Sequence, residues 1–172
     1  MEPEQRYDGS AVALPQPQAL TAREKEDAMG AYLMMFAAWG AGFPLPGIGL
    51  IASIVYFYLN KKSSTFTAFH AYQALLTHIP VSLINAAAVI YGGAVVFFDY
   101  HSHLFHFSAF LVFAGILNVL YMVFSIIACV KARKGVFYYF WIFGRLAYAK
   151  YYVPSRSRKV IEEDRNLPPE GL

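Results

Sequence analysis

The sequence predicts an all-α polytopic membrane protein with four transmembrane helices, the first two short and joined by a Gly/Pro turn, and a C-terminal interfacial amphipathic helix. Three observations predict it. The composition is 58% hydrophobic and only 15% charged, too apolar for an ordinary soluble domain. Charge is absent between Asp27 and Lys61, between Lys62 and Asp99, and between Asp99 and Lys131. Each of these gaps exceeds the about 20 apolar residues that one bilayer crossing requires. Lastly, the basic residues gather at particular gap ends. A soluble helical protein would need polar faces on its outer helices, and gaps of this length leave none.

Residues 1–21, "MEPEQRYDGSAVALPQPQALT", hold acidic residues and prolines before any apolar run. A secretory signal would begin basic and a transit peptide would be Arg-rich, so this stretch reads as a disordered cytosolic tail. Thr21 followed by Glu24 has the spacing of a capping box, which starts a helix near Ala22. Its apolar part runs over residues 28–39. "GAGFPLPGIG" (residues 40–49) then breaks it with four glycines and two prolines. A second helix is expected over residues 45–60. One straight helix over residues 28–60 would be about 50 Å long, so two short crossings, or a partly re-entrant hairpin, fit better.

A third helix is expected from Thr65 to Phe98, kinked at Pro80, and a fourth from Leu104 to Val130. The aromatic residues 136–152, with Arg145 and Lys150, read as an interfacial helix on the inner surface. Residues 22–152 thus form the membrane domain, and residues 153–172 a second disordered cytosolic tail. With four crossings, the turns at residues 40–49 and 99–106 share one side, and neither carries Lys or Arg. Lys61, Lys62, Lys131, Arg133 and Lys134 share the other side with both termini. The positive-inside rule places that side in the cytosol of a bacterial inner membrane.

The candidate site residues follow from polar groups in apolar surroundings. His70, Gln73 and Thr77 lie within about 60° of one another on a helix, and their position near Lys62 suggests a polar stripe at the membrane interface. Asn85 and Asn118 are expected to meet across the third and fourth helices as a clamp, a reading favoured over a transport path. No Asp, Glu, Lys or Arg lies inside a predicted crossing, which argues against an ion-coupled transporter. Asp99, His101, His103 and His106 are ligand types suited to Zn²⁺ or Cu²⁺. His101 and His103 lie about 200° apart on a helix, so interfacial anchoring is the favoured reading and a metal site the lesser one. Arg145, Lys150 and Trp141 are expected at the lipid interface. No constellation of nucleophile, base and carboxylate is visible, so neither an enzyme nor a cofactor is expected. The net charge of +3 and the acids beside the tail's basic residues give no nucleic-acid signal.

"FTAFHAYQALL" (residues 66–76) resembles the Phe-x-x-x-His-Ala-x-Gln-Ala signature of small bacterial four-helix membrane proteins, and "ARKGVFYYF" (residues 132–140) is similar to their second signature. These proteins are related to Tic-twenty, the membrane subunit of the chloroplast inner-envelope import translocon. The resemblance implies four helices with cytosolic termini and, in the plastid relatives, a part in protein import. In this chain Trp141 follows Phe140 where the bacterial members carry Tyr-Pro, a departure that lets the aromatic segment continue as a helix. Both signatures fall on the cytosolic side. His70 and Gln73 are therefore expected to hydrogen-bond the loop around Lys134 and Gly135, with Gly135 as a helix C-cap. The function expected is that of a non-enzymatic accessory or regulatory subunit of a larger inner-membrane complex, in contact with lipid and with other membrane subunits or copies of itself. The alternative is a translocation or channel-like component resembling Tic-twenty.

Overall fold

The computed structural model describes residues 14–36, 47–97 and 104–152. Among the described residues every regular element is helical: α1 (Ala22–Leu33), a 3-10 turn (Met34–Phe36), α2 (Ile48–Asn60), α3 (Thr65–Phe97), α4 (Leu104–Arg133) and α5 (Phe143–Tyr151).

α1 starts where the capping box places it. The Thr21 hydroxyl accepts from Glu24 N–H at 3.2 Å, and Glu24 Oε2 accepts from Thr21 N–H at 2.8 Å, so two otherwise orphaned donors are satisfied reciprocally. α2 begins at Gly47, whose φ of 103° is left-handed and suits glycine. α3 and α4 are about 50 and 45 Å long at 1.5 Å per residue, and α3 continues through Pro80.

Of the four expected crossings, two are shown among the described residues. Among the described residues, α3 and α4 are the helices long and apolar enough to span a bilayer. α1 opens with Arg23, Glu24, Lys25, Glu26 and Asp27 and has 12 residues, while α2 is apolar but has 13. Neither approaches the about 20 residues of a crossing. Most of the Gly/Pro break lies outside the described residues.

Registers come from side-chain contacts. α1 runs parallel to α3: Thr67 Oγ1 donates to Glu24 C=O at 3.2 Å, and Tyr32 meets His70 and Gln73. α2 runs antiparallel to α3, with Ser53 beside His78 and Phe57 beside Tyr72. α4 returns antiparallel along the whole of α3, pairing His78 with Tyr121, Asn85 with Asn118 and Tyr91 with Phe107. Burial is therefore uneven. α3 buries residues from Phe66 to Ser82 and, beyond that, only Val95. The core sits at one end, here called the foot, and the far half of the α3–α4 hairpin stands alone among the described residues.

Two expected boundaries need correcting. Leu14 to Thr21 is not a free tail: Gln16–Ala19 makes a turn and Leu20 is buried in the core. The C-terminal aromatic segment is not one helix over residues 136–152. Residues 136–140 are extended and the helix begins at Phe143, because the run's backbone and rings pack on α3. Residues 1–13 and 153–172 lie outside the described residues.

Candidate functional site

The chemistry-bearing side chains of the foot converge on one node. Gln73 Nε2 donates to Tyr32 Oη at 2.8 Å and to the Tyr138 carbonyl at 2.8 Å. Tyr32 Oη in turn lies 2.8 Å from His70 Nδ1. With its oxygen accepting from Gln73, the Tyr32 hydroxyl has its own proton free for His70 Nδ1, which places the imidazole proton on Nε2. One amide thereby ties α1, α3 and the extended segment together, and one tyrosine on α1 bridges two residues of α3.

Rings enclose the node. Phe66, Phe69 and Phe137 stand 4.5, 5.0 and 5.7 Å from the His70 ring, the first two edge-on and the third stacked, arrangements favoured by the aromatic quadrupole. His70 Nε2 and Gln73 Oε1 have no hydrogen-bond partner among the described residues. α5 closes the node through small residues. A Cβ at Gly144 would lie 2.8 Å from Tyr139 Cα and 2.9 Å from Gln73 Oε1, and Ala147, one turn on, is fully buried. Only glycine permits this approach.

The polar edge of α3 is thus protein interior, not the membrane interface expected from sequence. His70 and Gln73 are 0% exposed and Thr77 is 7% exposed, because α1, the extended segment and α5 cover that face. Nor do His70 and Gln73 bond the loop around Lys134 and Gly135. Gly135 has a φ of 75° and ends α4 in a Schellman pattern, with Val136 N–H on Lys131 C=O and Gly135 N–H on Ala132 C=O. That turn reverses the chain, so the carbonyl reaching Gln73 comes three residues later. A Cβ on Gly135 would meet Lys25 and Pro17 of the N-terminal segment instead. Lys134 is exposed.

Lys150 is exposed and sits over aromatic rings. Its Nζ lies 3.7 Å from the Tyr72 ring centre, with Phe57 at 5.5 Å and Tyr151 at 5.7 Å, positions where the ring faces attract the ammonium. Arg145 and Trp141 are exposed, Trp141 at 84%. Tyr152 is buried, its hydroxyl has no hydrogen-bond partner among the described residues, and burial pushes that phenol above its ordinary range.

Further along the hairpin, Asn85 and Asn118 exchange two hydrogen bonds, 3.0 and 2.7 Å, and Asn118 Nδ2 also donates to Ala114 C=O at 2.8 Å. Of the expected metal ligands, Asp99, His101 and His103 lie outside the described residues. His106 sits in the first turn of α4, its ring 5.8 Å from that of Phe105. Among the described residues no group of three or more His, Cys, Asp or Glu is placed to hold a metal ion.

Sequence reasoning passed over Tyr32, Gly144 and the Ser53–His78 pair, 3.2 Å apart. A tyrosine in an apolar run and a glycine inside a short helix were the available signals. Neither carries a long-range partner in its own neighbourhood, so only the fold reveals them.

A family model described as the magnetosome magnetite crystal formation protein family (MamF/MmsF) matches residues 24–147, and the chain belongs to that family. No curated protein and no solved structure matches the chain. The resemblance to Tic-twenty relatives is thereby corrected. Both short motifs that carried it lie inside the stretch matched by this other family, and motifs of this length in aromatic membrane helices do not separate one family from another. The translocation reading, which rested on that resemblance, goes with it.

Proposed function

We propose that this chain, as a member of the magnetosome magnetite crystal formation protein family, is a non-enzymatic membrane subunit that supports magnetite crystal formation from within the magnetosome membrane. The expected setting, a general bacterial inner membrane, is narrowed accordingly to the compartment that the family description names. Its partners would be lipid and other membrane proteins or further copies of itself; nothing in its charge distribution suggests nucleic acid.

The observation that carries this reading is the use made of interior polar groups. Gln73, His70, Thr67 and His78 are all engaged with other segments of the same chain. A membrane enzyme or a pore would be expected to turn such groups toward a shared cleft or path. Here they act as fasteners that make the foot one body, and the chain's contribution to its process would then lie in its surfaces.

Orientation follows from the same end of the molecule. Lys61, Lys62, Lys131, Arg133 and Lys134 gather at the foot. α1 starts there beside Thr67, and α5 ends there with Tyr152 against Phe69. Both described ends of the chain therefore share the basic side whether or not the α1–α2 pair reaches across, and the positive-inside rule assigns that side to the cytosol.

The test is made in the host cell. A tagged chain should fractionate with magnetosome membranes, deletion of its gene should alter crystal size or number in electron micrographs, and gentle solubilisation should recover stoichiometric membrane proteins. Unaltered crystals in the deletion strain would overturn the proposed role. A tagged chain found wholly outside those membranes would overturn the setting.

A further inference from the structure

We infer that the chain is a wedge in the bilayer, broad at its basic foot and narrow at its far end, and that it is accommodated best in a membrane convex on the basic side. The inference rests on α3 and α4 spanning the bilayer and goes beyond the proposed role.

The taper is visible element by element. Beside the first half of α3 lie α1, α2, α4, the extended residues 136–140 and α5. Beyond Leu83 the ring and hydrogen-bond contacts of α3 among the described residues go to α4: Asn85 to Asn118, and Tyr91 to Phe107 and Phe110. Gly92 lets Phe107 approach so closely that a Cβ would lie 3.0 Å from its ring. Neighbouring positions in this half are exposed together, Val89 with Ile90 and Leu111 with Val112 and Phe113. On a helix the pair sweeps about 100° and the triplet about 200°, so apolar side chains face outward over a wide arc of each helix, as lipid contact requires. A helix with its side chains is about 10 Å across. Three more helices and an aromatic segment at one level therefore displace far more lipid there than at the other.

α5 adds to the broad side. Trp141, Ile142 and Leu146 are 84%, 58% and 51% exposed, with Arg145 exposed among them. An apolar group with a cation beside it, near the basic end of α4, has the make-up of a surface-lying helix that inserts among headgroups, and such insertion is curvature-sensitive. Both features enlarge the same leaflet. A shape of this kind is strained in a flat bilayer and relieved where that leaflet is stretched.

The full chain, labelled at its C-terminus with a dye that a membrane-impermeant reductant can bleach, would be reconstituted into small extruded vesicles and giant vesicles of one lipid composition containing anionic lipid. Protein per lipid in the outward-foot population, the fraction bleached from outside, should be several-fold higher in the small vesicles. The inward-foot population should be depleted there. Equal densities at both sizes, or enrichment of the inward-foot population, would overturn the wedge while leaving the spanning reading intact. Failure of the protein to float with either vesicle would overturn the spanning reading itself and the wedge with it.

Discussion

The foot and the far half of the hairpin are made of similar residues but hold together by different means. At the foot, side chains from several segments interlock: Tyr32, His70, Gln73, Phe137 and Gly144 each touch an element distant in sequence. In the far half two helices meet over one face, pinned by the Asn85–Asn118 pair and the Gly92–Phe107 approach. In lipid, apolar burial between helices gives no driving force of the aqueous kind, so close packing and polar ties decide stability. The difference teaches that this chain concentrates its specificity at one end and leaves the other end to the solvent, which here is lipid.

Substitutions should break the two regions unequally, and the largest loss is expected at Gly144. Leucine there would drive a side chain into Tyr139 and Gln73, where even a Cβ comes within 2.8 Å of backbone. Overpacking of this kind costs about 1–3 kcal/mol or more. Thermal unfolding in detergent should shift markedly downward, and limited proteolysis should open residues 136–152 while the α3–α4 hairpin survives.

Gln73→Leu comes next. It leaves the Tyr138 carbonyl without its donor and the Tyr32–His70 pair without its support. Each buried group left unmade costs about 1–3 kcal/mol. The expected result is a lowered melting temperature with faster amide exchange in both α1 and the extended segment, since one side chain ties both.

A smaller effect is expected in the far half. Asn85→Leu or Asn118→Leu should each cost about 0.6 to 2 kcal/mol, the range found for hydrogen bonds between membrane helices. The double variant should be little worse than either single one, because the two side chains satisfy each other. Additive losses in that cycle would show that the two side chains do not act as a pair.

The smallest effect concerns the cap of α1. Backbone and hydroxyl hydrogen bonds from Thr21 hold the Glu24 carboxyl below its ordinary range. Its folded value lies below its unfolded one, so its contribution is fully present above the unfolded value and is lost as pH falls through the folded value. Solvent screening keeps it to no more than about 0.5 kcal/mol. The melting-temperature difference between the native chain and Glu24→Gln should therefore be small at neutral pH and vanish in acid.

How much was legible beforehand follows the same division. Short-range chemistry could be read directly: Thr21 and Glu24 marked the start of α1, Gly135 the left-handed end of α4, and the uncharged gaps the two long helices. The Asn85–Asn118 contact was also within reach, since an antiparallel pair has one register and two asparagines in it tend to meet. Contacts made by folding back were not. Whether residues 136–152 form one helix depends on Phe137 finding Phe66 and Phe69, and no local propensity records that. Gln73 was seen as polar, but its burial was invisible because α1, which covers it, reads as a crossing by hydrophobicity.

The most direct test of the central claim is a nitroxide scan of α3 in nanodiscs, from Thr65 to Phe97 on a background with Cys129 replaced, reading accessibility to oxygen, which partitions into lipid. The account predicts low accessibility on most faces over residues 66–82, with a step to high accessibility on all but the α4-facing side beyond Leu83. A one-sided helical periodicity continuing unchanged to Phe97 would contradict it, because the far half would then be covered by protein and the division between foot and hairpin would not exist.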